Sequence, residues 1–582
     1  MEKIFLGISL GFNSSASVVS SERGVLAAAS EERFIDIKNT KRTPIDAIKA
    51  CIALAKVSYI DQIIICHYED ISMEYFKIKD PDVANKYDTW EDIFVDTVSS
   101  ICELKNTEIV RINHHDAHAF SSYGFYHYNE EPHYTITSDG FGDGLSAKIC
   151  FDGKTISEVP LTSSIALIYQ FTTGALGFKE HQHEGKITGL AAFGQPKYML
   201  EFESLFEPIE SGNGLRFRRE IYNLTDEQIE QVKTSHIHDF EGFLLLKTAV
   251  YNLIKFLKDK GATREDIAAT VQEFAEKHTI NWLSKYCTTK ADAYIAGGLF
   301  ANVKINQRLK DSRLFTNVYV CPAMGDEGTC VGAPLYYMYS KYNIKPIFTD
   351  LESRKVISGT DINITNDVYS NIQDILVGNA EVFGVSGIEG KYSYRRIHDE
   401  DERVEIISDR LAKNKIVCLM QGRMEFGPRA LCHRSILYNA TDKSTNDSLN
   451  ARLSRSEFMP FAPVCRDVDA ESLFKNIPGG DTSFKFMTMT FDGTDEFVNT
   501  YKAVAHIDGT ARPQVVTSED DSYMYKILTS YYNKTNLKCL VNTSFNLHEH
   551  PIVRDYTEGL YSFIKADLDV LVIDDVVIEK IC

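Results

Sequence analysis

Two stretches near residue 300 share one format: a short apolar run, a turn rich in glycine, and then a helical pattern. They read ADAYIAGGLFANVKINQRL from residue 291 and YVCPAMGDEGTCVGAPLYYMY from residue 319. Earlier in the chain, KIFLGISL and IDQIIICHY have the apolar pattern of strands, and REDIAATVQEFAEKHTINWLSKYC predicts a long amphipathic helix. Because strands that alternate with helices build α/β domains, the sequence predicts an α/β fold.

The length of the chain, 582 residues, is enough for more than one domain, since a domain typically holds ~100–200 residues. The composition shifts near residues 345–365, where NIKPIFTDLESRKVISGTDIN is polar and carries Pro and Gly. We place a boundary there and predict two domains, over residues 1–355 and 356–582. No internal repeat at a fixed period is visible.

The charge balance restricts the partners. A net charge of −20 disfavours wrapping of a nucleic-acid backbone by the whole protein, although a local basic groove is not excluded by it. The 12 cysteines form no C-x-x-C pair, which favours reduced thiols in a cytoplasm. No segment approaches ~20 consecutive apolar residues, so the sequence predicts no membrane span.

Histidines are concentrated in the segment NHHDAH, residues 113–118. His114 and His118 are four residues apart, so on a helix they share one face and could hold a divalent metal. Asp326, in a Gly-rich turn after a strand, is a candidate third ligand. The alternative is an ordinary polar helix start, and the spacing alone favours that alternative. A second metal pair at His181 and His183 is a weaker possibility.

Two Gly-rich turns could approach a ligand closely with their backbone. They are SDGFGDG, residues 138–144, and GGLFAN, residues 297–302. Both offer N–H groups to phosphate oxygens, although hairpins also use Gly-Asp turns. Lys186, in EHQHEGKITGLAAFG, could meet a phosphate as a point charge, or it could be a solvated lysine at a loop edge.

Arginines are embedded among Gly and Pro in the C-terminal part. GRMEFGPRALCHRS contains Arg423, Arg429 and Arg434, and Arg455 and Arg512 follow. Arginine makes bidentate contacts to phosphate or carboxylate, whereas the alternative is scattered surface charge. Ser544, in NTSFN, could hydrogen-bond a phosphate, but no base is visible beside it that would make it a nucleophile.

The motifs together resemble the O-carbamoyltransferases, among them the nodulation-factor, cephamycin and tobramycin carbamoylating enzymes. The ordered set is EERF, NHHDAHAFSSYGFY, SDGFGDG, EGKITGLAAFG, GGLFANVKIN, GDEG, GRMEFGPRAL, PFAPV, DGTARPQ and NTSFN. The resemblance covers nearly the whole chain. It implies an ASKHA (actin/Hsp70-like) N-terminal domain and a YrdC-like α/β C-terminal domain.

The resemblance also implies a two-step chemistry. The YrdC-like domain would join carbamoyl phosphate and ATP, with Mg²⁺, into carbamoyl adenylate, and the ASKHA-like domain would pass the carbamoyl group to an acceptor hydroxyl. His114, His118 and Asp326 match the positions that hold a metal in the family, usually iron (Fe²⁺). The residues predicted to take part in catalysis are His114, Arg429 and Ser544.

The motif positions give a larger set of predicted cofactor-binding residues. They are Ser138, Asp139, Gly140, Gly142, Asp143, Lys186, Gly189, Gly297, Gly298, Asn302, Arg423, Arg455, Arg512 and Asn542. The acceptor is expected to be a sugar, a natural-product alcohol or, as a remaining possibility, a hydroxymethylated nucleobase. A homodimer is the expected assembly, because closed twofold dimers are the commonest oligomers.

The chain departs from the family pattern in two places. Many members carry His-Asp in the first turn, where this chain has Phe12 and Asn13. Before PFAPV, Leu453 and Met459 replace two basic residues. These changes indicate either a subfamily with a different acceptor or an impaired first step. The lost basic residues motivate one alternative, a non-catalytic relative that binds or scaffolds. A second alternative, an ASKHA phosphotransferase acting on a small metabolite, would need only the N-terminal domain and would leave GRMEFGPRAL unexplained. A tRNA-modifying role is a further, weaker alternative.

Overall fold

The computed structural model describes residues 2–128, 130–235, 237–347, 364–385, 388–453, 461–480 and 482–581. Most of the predicted boundary region, as well as Arg455 and Met459, lies outside these residues, so the boundary stays a prediction. Within these ranges, no helix has both the length and the apolar composition needed to cross a lipid bilayer. The cytoplasmic location stays a prediction too.

Strands of the N-terminal part build two five-stranded sheets and two short pairs, β4 with β6 and β11 with β12. The strands are β1 (Ile4–Ser9), β2 (Ser15–Ser20), β3 (Gly24–Ser30), β4 (Tyr59–Ile60), β5 (Gln62–Cys66), β6 (Glu103–Leu104), β7 (Ile109–Ile112), β8 (Tyr134–Gly142), β9 (Leu145–Phe151), β10 (Lys154–Pro160), β11 (Phe206–Pro208), β12 (Leu215–Phe217), β13 (Ala293–Ala296) and β14 (Val318–Val320). The first sheet has the order β3-β2-β1-β5-β7, and the second has the order β10-β9-β8-β13-β14.

Both sheets are wound in the same way. In the first, β1 pairs antiparallel with β2 and parallel with β5. In the second, β8 pairs antiparallel with β9 and parallel with β13. This duplicated winding is the ASKHA fold, so the predicted architecture of the N-terminal domain is confirmed. The duplication shows no fixed sequence period, because a much longer helical insertion separates β10 from β13 than separates β3 from β5.

Helices cover both sheets. Those of the N-terminal part are α1 (Glu32–Ile35), α2 (Ile45–Ala55), α3 (Met73–Lys79), α4 (Pro81–Ala84), α5 (Trp90–Ser99), α6 (His114–Ser121), α7 (Ile165–Ala175), α8 (Glu184–Ala191), α9 (Met199–Glu203), α10 (Asp226–Thr234), α11 (Phe240–Asp259), α12 (Arg264–Tyr286), α13 (Val303–Asp311) and α14 (Thr329–Tyr342). Short 3₁₀ turns precede several of them, among them Gly298–Ala301 before α13 and Asp326–Gly328 before α14.

The expected amphipathic helix near residue 264 forms as α12, but it is not amphipathic. Polar residues such as Gln272 and Glu276 are buried along it beside apolar ones such as Phe274. The reason is that α12 packs against α7, α8 and α13, so it has little free surface. Gln272 bonds to Asn302, and Glu276 pairs with Arg308 at 2.9 Å, which compensates for the buried polar groups.

The C-terminal part is built on one eight-stranded mixed sheet. Its strands, together with the short pair β19 and β20, are β15 (Tyr392–Arg396), β16 (Val417–Met420), β17 (Arg434–Asn439), β18 (Ala462–Arg466), β19 (Phe491–Asp492), β20 (Thr510–Ala511), β21 (Gln514–Val516), β22 (Cys539–Ser544), β23 (Val570–Ile573) and β24 (Val576–Lys580). The order is β15-β24-β23-β16-β17-β22-β18-β21. Only β16–β23 and β18–β21 pair in parallel within the described sheet.

Helices surround this sheet as the predicted α/β class of the second domain requires. They are α15 (Asn366–Leu376), α16 (Glu400–Ala412), α17 (Ser444–Arg452), α18 (Asp467–Leu473), α19 (Asp495–Thr500), α20 (Ser522–Thr535) and α21 (Tyr556–Lys565). Buried apolar residues of α16 and α20 pack together against one face of the sheet. The two-domain architecture predicted from the resemblance is therefore confirmed.

Helices α6 and α14 lie unusually close together. An added Cβ on Gly332 of α14 would lie 1.8 Å from the carbonyl oxygen of Ala117 in α6 and 2.7 Å from the nitrogen of Ser121. Backbone atoms cannot move aside as a flexible side chain could. The contact between these two helices therefore requires glycine at position 332.

We expect the Gly332→Ala variant to lose about 1–3 kcal/mol of stability, because the methyl group forces the two helices apart. Thermal unfolding followed by circular dichroism should show a lower midpoint. The matched control is Gly185→Ala in α8, where an added Cβ meets no atom within 4 Å. An unchanged midpoint for Gly332→Ala would contradict the close packing of α6 and α14.

Candidate active site and metal centre

Two histidine rings of α6 meet edge to face, with centroids 4.5 Å apart. The Asn113 side chain caps this helix by accepting hydrogen bonds from the nitrogens of His115 and Asp116. His114 and His118 lie one turn apart on the same face, and their Nε2 atoms are 3.1 Å apart. Both side chains are buried. The helix start therefore presents two ring nitrogens to one point.

The neighbouring His115 points elsewhere. Its ring nitrogens bond to Thr137 Oγ1 at 2.8 Å and to the carbonyl oxygen of Leu145 at 3.2 Å. Burial, together with the charges of His114 and His118, lowers the pKa of His115 to about 3. This histidine is neutral at ordinary pH and serves to attach α6 to the second sheet.

Two carboxylates complete the cluster, and they come from different elements. Asp139 lies within β8, and its Oδ2 is 3.1 Å from His114 Nε2 and 3.3 Å from His118 Nε2. Asp326 begins the turn before α14, and its Oδ1 is 3.6 Å and 3.5 Å from the same two nitrogens. One ligand atom from each of the four residues lies within 4.8 Å of the others. We call these four residues the His–Asp cluster.

The protonation behaviour of the cluster reflects its crowded charges. Burial acts to lower the pKa of His114, but the hydrogen bonds to Asp139 and Cys66 and the charge of Asp326 together outweigh it, and the pKa is raised well above the ordinary value. Against its own burial, the bonds to His114 and His118 lower the pKa of Asp139 well below its usual range. Burial and the charge of Asp139 raise the pKa of Asp326. The carboxylates of Asp139 and Asp326 therefore both interact with the same two histidine rings.

The donor set of the cluster fits a divalent metal. Two imidazole nitrogens and two carboxylate oxygens suit iron, zinc or manganese. The Nδ1 atom of His114 lies 3.9 Å from Cys66 Sγ, a weak partner that leaves Nε2 directed to the centre. Two carboxylates this close are costly when buried together, and a cation held between them would offset that cost.

The SDGFGDG turn supports the cluster directly. An added Cβ on Gly142 would lie 2.2 Å from His114 Cδ2, so only glycine leaves room for the ring. Asp143 accepts a hydrogen bond from the backbone nitrogen of His114 at 2.7 Å and forms a close ion pair with Arg111. Gly142 and Asp143, predicted to bind cofactor, thus help to position His114.

Asp139 joins the two Gly-rich turns. Its Oδ1 accepts hydrogen bonds from the nitrogens of Gly140 at 2.8 Å and Gly298 at 3.1 Å. An added Cβ on Gly297 would lie 2.3 Å from the carbonyl oxygen of Ser138. The structure therefore brings SDGFGDG and GGLFAN together beside the His–Asp cluster, as expected for two turns that face one ligand.

The remaining predicted residues of the N-terminal domain lie on helices. Asn302 caps α13 by accepting from the nitrogens of Lys304 and Ile305. Its amide group also exchanges hydrogen bonds with Gln272. Lys186 and Gly189 lie half-buried on α8, which packs against α12. Contact of these residues with a nucleotide stays a prediction.

Two arginines of the C-terminal domain form an uncompensated pair. Among the described residues, the buried Nε atoms of Arg429 and Arg512 have no hydrogen-bond partner. Burial lowers the pKa of Arg429 to about 10, and Glu327 partly offsets this. Burial and then the charge of Arg429 lower the pKa of Arg512 well below its usual range. Two such cations side by side are a receptive site for an anion.

This arginine pair lies at the contact between the domains. The guanidinium of Arg429 donates to the carbonyl oxygen of Ala301, in the GGLFAN turn, at 3.3 Å. Glu327, whose charge acts on Arg429, is the neighbour of Asp326 in the His–Asp cluster. The residues predicted for the two chemical steps are therefore close together, although they belong to different domains.

The other predicted residues of the C-terminal domain contact the segment around Arg429 or lie near it. Asn542 is buried on β22, and its amide donates to Gln514 at 2.6 Å and to the carbonyl oxygen of Ala430 at 3.2 Å. Ser544 ends the same strand. Arg423 reaches across the domain contact and donates to the carbonyl oxygen of Leu26 at 3.2 Å. Arg455 lies outside the described residues.

Comparison with known families decides what this arrangement belongs to. Residues 4–335 match the family described as "Carbamoyltransferase N-terminus", and residues 408–580 match "Carbamoyltransferase C-terminus". The chain belongs to the carbamoyltransferase family. It is accordingly a carbamoyltransferase enzyme.

Several relatives match this chain over most of its length. The Methanocaldococcus jannaschii protein MJ1051 is 27% identical over 99% of this chain and 100% of its own length. Nodulation protein NolNO of Sinorhizobium fredii is 26% identical over 97% of this chain and 78% of NolNO. Nodulation protein NolO of Bradyrhizobium diazoefficiens is 29% identical over 81% of this chain and 79% of NolO.

Two residues have structural roles that the sequence motifs do not indicate. Asp139, predicted as part of a nucleotide-facing turn, also belongs to the His–Asp cluster. The sequence signal for this second role is its place near the end of a buried strand. Arg33 was not singled out. It is buried, and it donates to the carbonyl oxygens of Gly427 and Ile552 at 3.1 Å each, which ties the domains together. The EERF motif alone does not indicate these contacts with the C-terminal domain.

The Asp139→Asn variant should bind a divalent metal at least about tenfold more weakly, because it removes an anionic ligand while keeping the shape of the side chain. Metal content after dialysis, measured by mass spectrometry of the digested protein, tests this. Asp116→Asn is the control, since Asp116 lies on the same end of α6 but pairs with Lys148 at 2.8 Å. Equal metal content in both variants would rule out Asp139 as a ligand.

Proposed function

We propose that this carbamoyltransferase is ATP-dependent and works through carbamoyl adenylate. Carbamoyl phosphate and water give carbamate and phosphate, and a carbamate oxygen then attacks the α-phosphorus of ATP, releasing pyrophosphate. In the second step an acceptor hydroxyl oxygen attacks the carbamoyl carbon, AMP leaves, and the hydroxyl proton is given up. The acceptor is a small-molecule alcohol, such as a sugar or a natural product.

One observation carries this proposal more than any other: the arginine pair adjoins the His–Asp cluster across the domain contact. Arg429 bonds to the GGLFAN turn, and that turn bonds to Asp139 through Gly298. An adenylate formed at the arginines would need to move only a short way to reach the cluster. This arrangement favours two-step carbamoyl transfer over a simple phosphotransferase reaction, because a phosphotransferase would leave the arginine pair without a role.

In the first step, Arg429 and Arg512 would bind the phosphate oxygens of carbamoyl phosphate or ATP. Their unpartnered Nε atoms would then donate to anionic oxygens, and charge-assisted bonds of this kind are stronger than neutral ones. Ser544, at the end of β22, would donate a further hydrogen bond. ATP would bring Mg²⁺ with it, as is usual for phosphoryl substrates.

In the second step, His114, His118, Asp139 and Asp326 would hold a divalent metal, with Fe²⁺ as the expected ion. When bound there, such an ion supplies Lewis-acid polarisation of a nearby oxygen. The protein residues orient the reactants: the amides of Gly140 and Gly298 fix Asp139, and Asp143 fixes the start of α6. The Gly-rich turns would bring the AMP portion beside the cluster.

The departures from the family pattern are compatible with this function. Leu453 is fully buried next to the end of α17, so it contributes to the core and not to a charged surface. Phosphate charge would then be met by Arg429 and Arg512 without a basic group at 453. A homodimeric assembly remains part of the proposal, and a small-molecule acceptor is favoured over a nucleic acid.

Release of pyrophosphate tests the first step. We expect the wild-type protein, given ATP, Mg²⁺ and carbamoyl phosphate without any acceptor, to release pyrophosphate only when carbamoyl phosphate is present. Production of ADP instead would favour the phosphotransferase. No turnover by a folded protein would favour a non-catalytic relative.

Two variants test the division of labour between the domains. His114→Ala should keep the release of pyrophosphate and lose carbamoyl transfer, whereas Arg429→Ala should lose pyrophosphate release by about a hundredfold or more, because it removes a charged donor from the anion site. Arg395→Ala is the matched control, since Arg395 is an exposed arginine on β15 of the same domain. Loss of the same step in both variants would contradict the two-step scheme.

A further inference from the structure

A short wall beside the His–Asp cluster carries a positive charge. It consists of Phe12, Lys41 and His181, and we call it the Phe12 wall. The turn that carries Phe12 approaches the cluster closely, because an added Cβ on Gly11 would lie 3.8 Å from Asp326 Oδ2. The ring of His181 stacks on that of Phe12, with centroids 3.9 Å apart.

Hydrogen bonds to the backbone fix Lys41 in this place. The nitrogen of Ser14 donates to the carbonyl oxygen of Thr40 at 3.0 Å, and its hydroxyl group donates to the carbonyl oxygen of Arg42 at 2.6 Å. These bonds hold the segment around Lys41 against the turn that follows β1. The Lys41 Nζ atom lies 3.3 Å from the centroid of the Phe12 ring.

The charge of the Lys41 ammonium group is unpaired in the part of the chain that the structure describes. Among the described residues, no carboxylate forms an ion pair with Lys41 or with Lys79, whose like charge acts on it. Burial and then Lys79 lower the pKa of Lys41 to about 8, and Asp326 opposes this shift. In a chain with a net charge of −20, an unpaired, half-buried lysine next to a second one is unusual, because most buried charges are paired.

We propose that Lys41 is the anchor of an oxyanion subsite beside the His–Asp cluster. The oxyanion is a phosphate or a carboxylate of the substrate handled there. It belongs either to an acidic acceptor alcohol or to the phosphate of the carbamoyl adenylate. These two identities of the oxyanion rest on the proposed function. The subsite itself rests only on the position and charge of Lys41.

The subsite adds a cation that the sequence motifs do not indicate. None of the sequence motifs includes Lys41, and the arginine pair, Arg429 and Arg512, lies on the other side of the domain contact. Ion pairing with Lys41 would also satisfy its charge without removing the Phe12 contact, because a cation can face a ring and an anion together. An acceptor with its own phosphate or carboxylate would thus be oriented with its hydroxyl towards the cluster.

Chemical modification of Lys41 tests the subsite without any need for turnover. The full-length protein, loaded with metal, is treated with a lysine-acetylating reagent in the presence of inorganic phosphate, ribose 5-phosphate or ribose. Mass spectrometry then measures acetylation at Lys41 and at Lys49, an exposed lysine of α2 that serves as the internal control. We expect several-fold protection of Lys41 by both phosphate compounds, no protection by ribose, and no change at Lys49.

The same experiment separates the two sources of the oxyanion. If AMP alone protects Lys41 and ribose 5-phosphate adds nothing to it, the phosphate of the adenylate is the partner. If ribose 5-phosphate protects further in the presence of saturating AMP, an acidic acceptor is the partner. Absence of protection by inorganic phosphate, ribose 5-phosphate and AMP would overturn the proposal.

A binding measurement provides the second test. We expect Lys41→Met to bind the protecting compound about tenfold more weakly in calorimetric titration, as loss of a charged hydrogen bond implies, while Lys49→Met binds as the wild type does. Equal affinity in the two variants contradicts the subsite. Protection without pyrophosphate release would retain the subsite and reject the proposed chemistry, and pyrophosphate release without protection would do the reverse.

Discussion

The separation of helices α6 and α14 governs the geometry of the candidate site. Helix α6 carries His114 and His118, and α14 begins just after Asp326. Because Gly332 meets the backbone of Ala117 with no side chain between them, the two helices set the distance from the histidines to Asp326 rigidly. Metal sites need ligand positions fixed within a few tenths of an ångström, and a contact between two backbones is stiffer than one between side chains.

Asp139 connects this rigid centre to the ligand-facing turns. One of its oxygens faces the two histidines, and the other accepts from the amides of Gly140 and Gly298. A cation at the cluster and the shape of the turns are thus coupled through a single carboxylate. The GGLFAN turn then continues to Arg429 through Ala301. A chain of direct contacts links the two charged centres, one acidic and one basic, across the domain contact.

Much of the fold followed from the sequence, because strand and helix patterns are local. The His114 and His118 pair was also visible, since four-residue spacing places two side chains on one helix face. The role of Asp139 at the cluster was not visible, because a strand residue meets α6 only through tertiary packing. The burial of α12 was missed for the same reason: its polar residues are satisfied by partners such as Asn302, which no helical period reveals.

The two departures from the family pattern differ in physical kind. Leu453 exchanges charge for apolar burial in the core, so its effect is on packing, and it leaves Arg429 and Arg512 as the cations proposed for the first step. Phe12 replaces a polar side chain at the edge of the His–Asp cluster, where its ring contacts His181 and Lys41. A ring there cannot accept a proton, but it can hold an ammonium group in place. The change therefore places a ring that contacts a cation where many family members have a histidine, a side chain that can titrate.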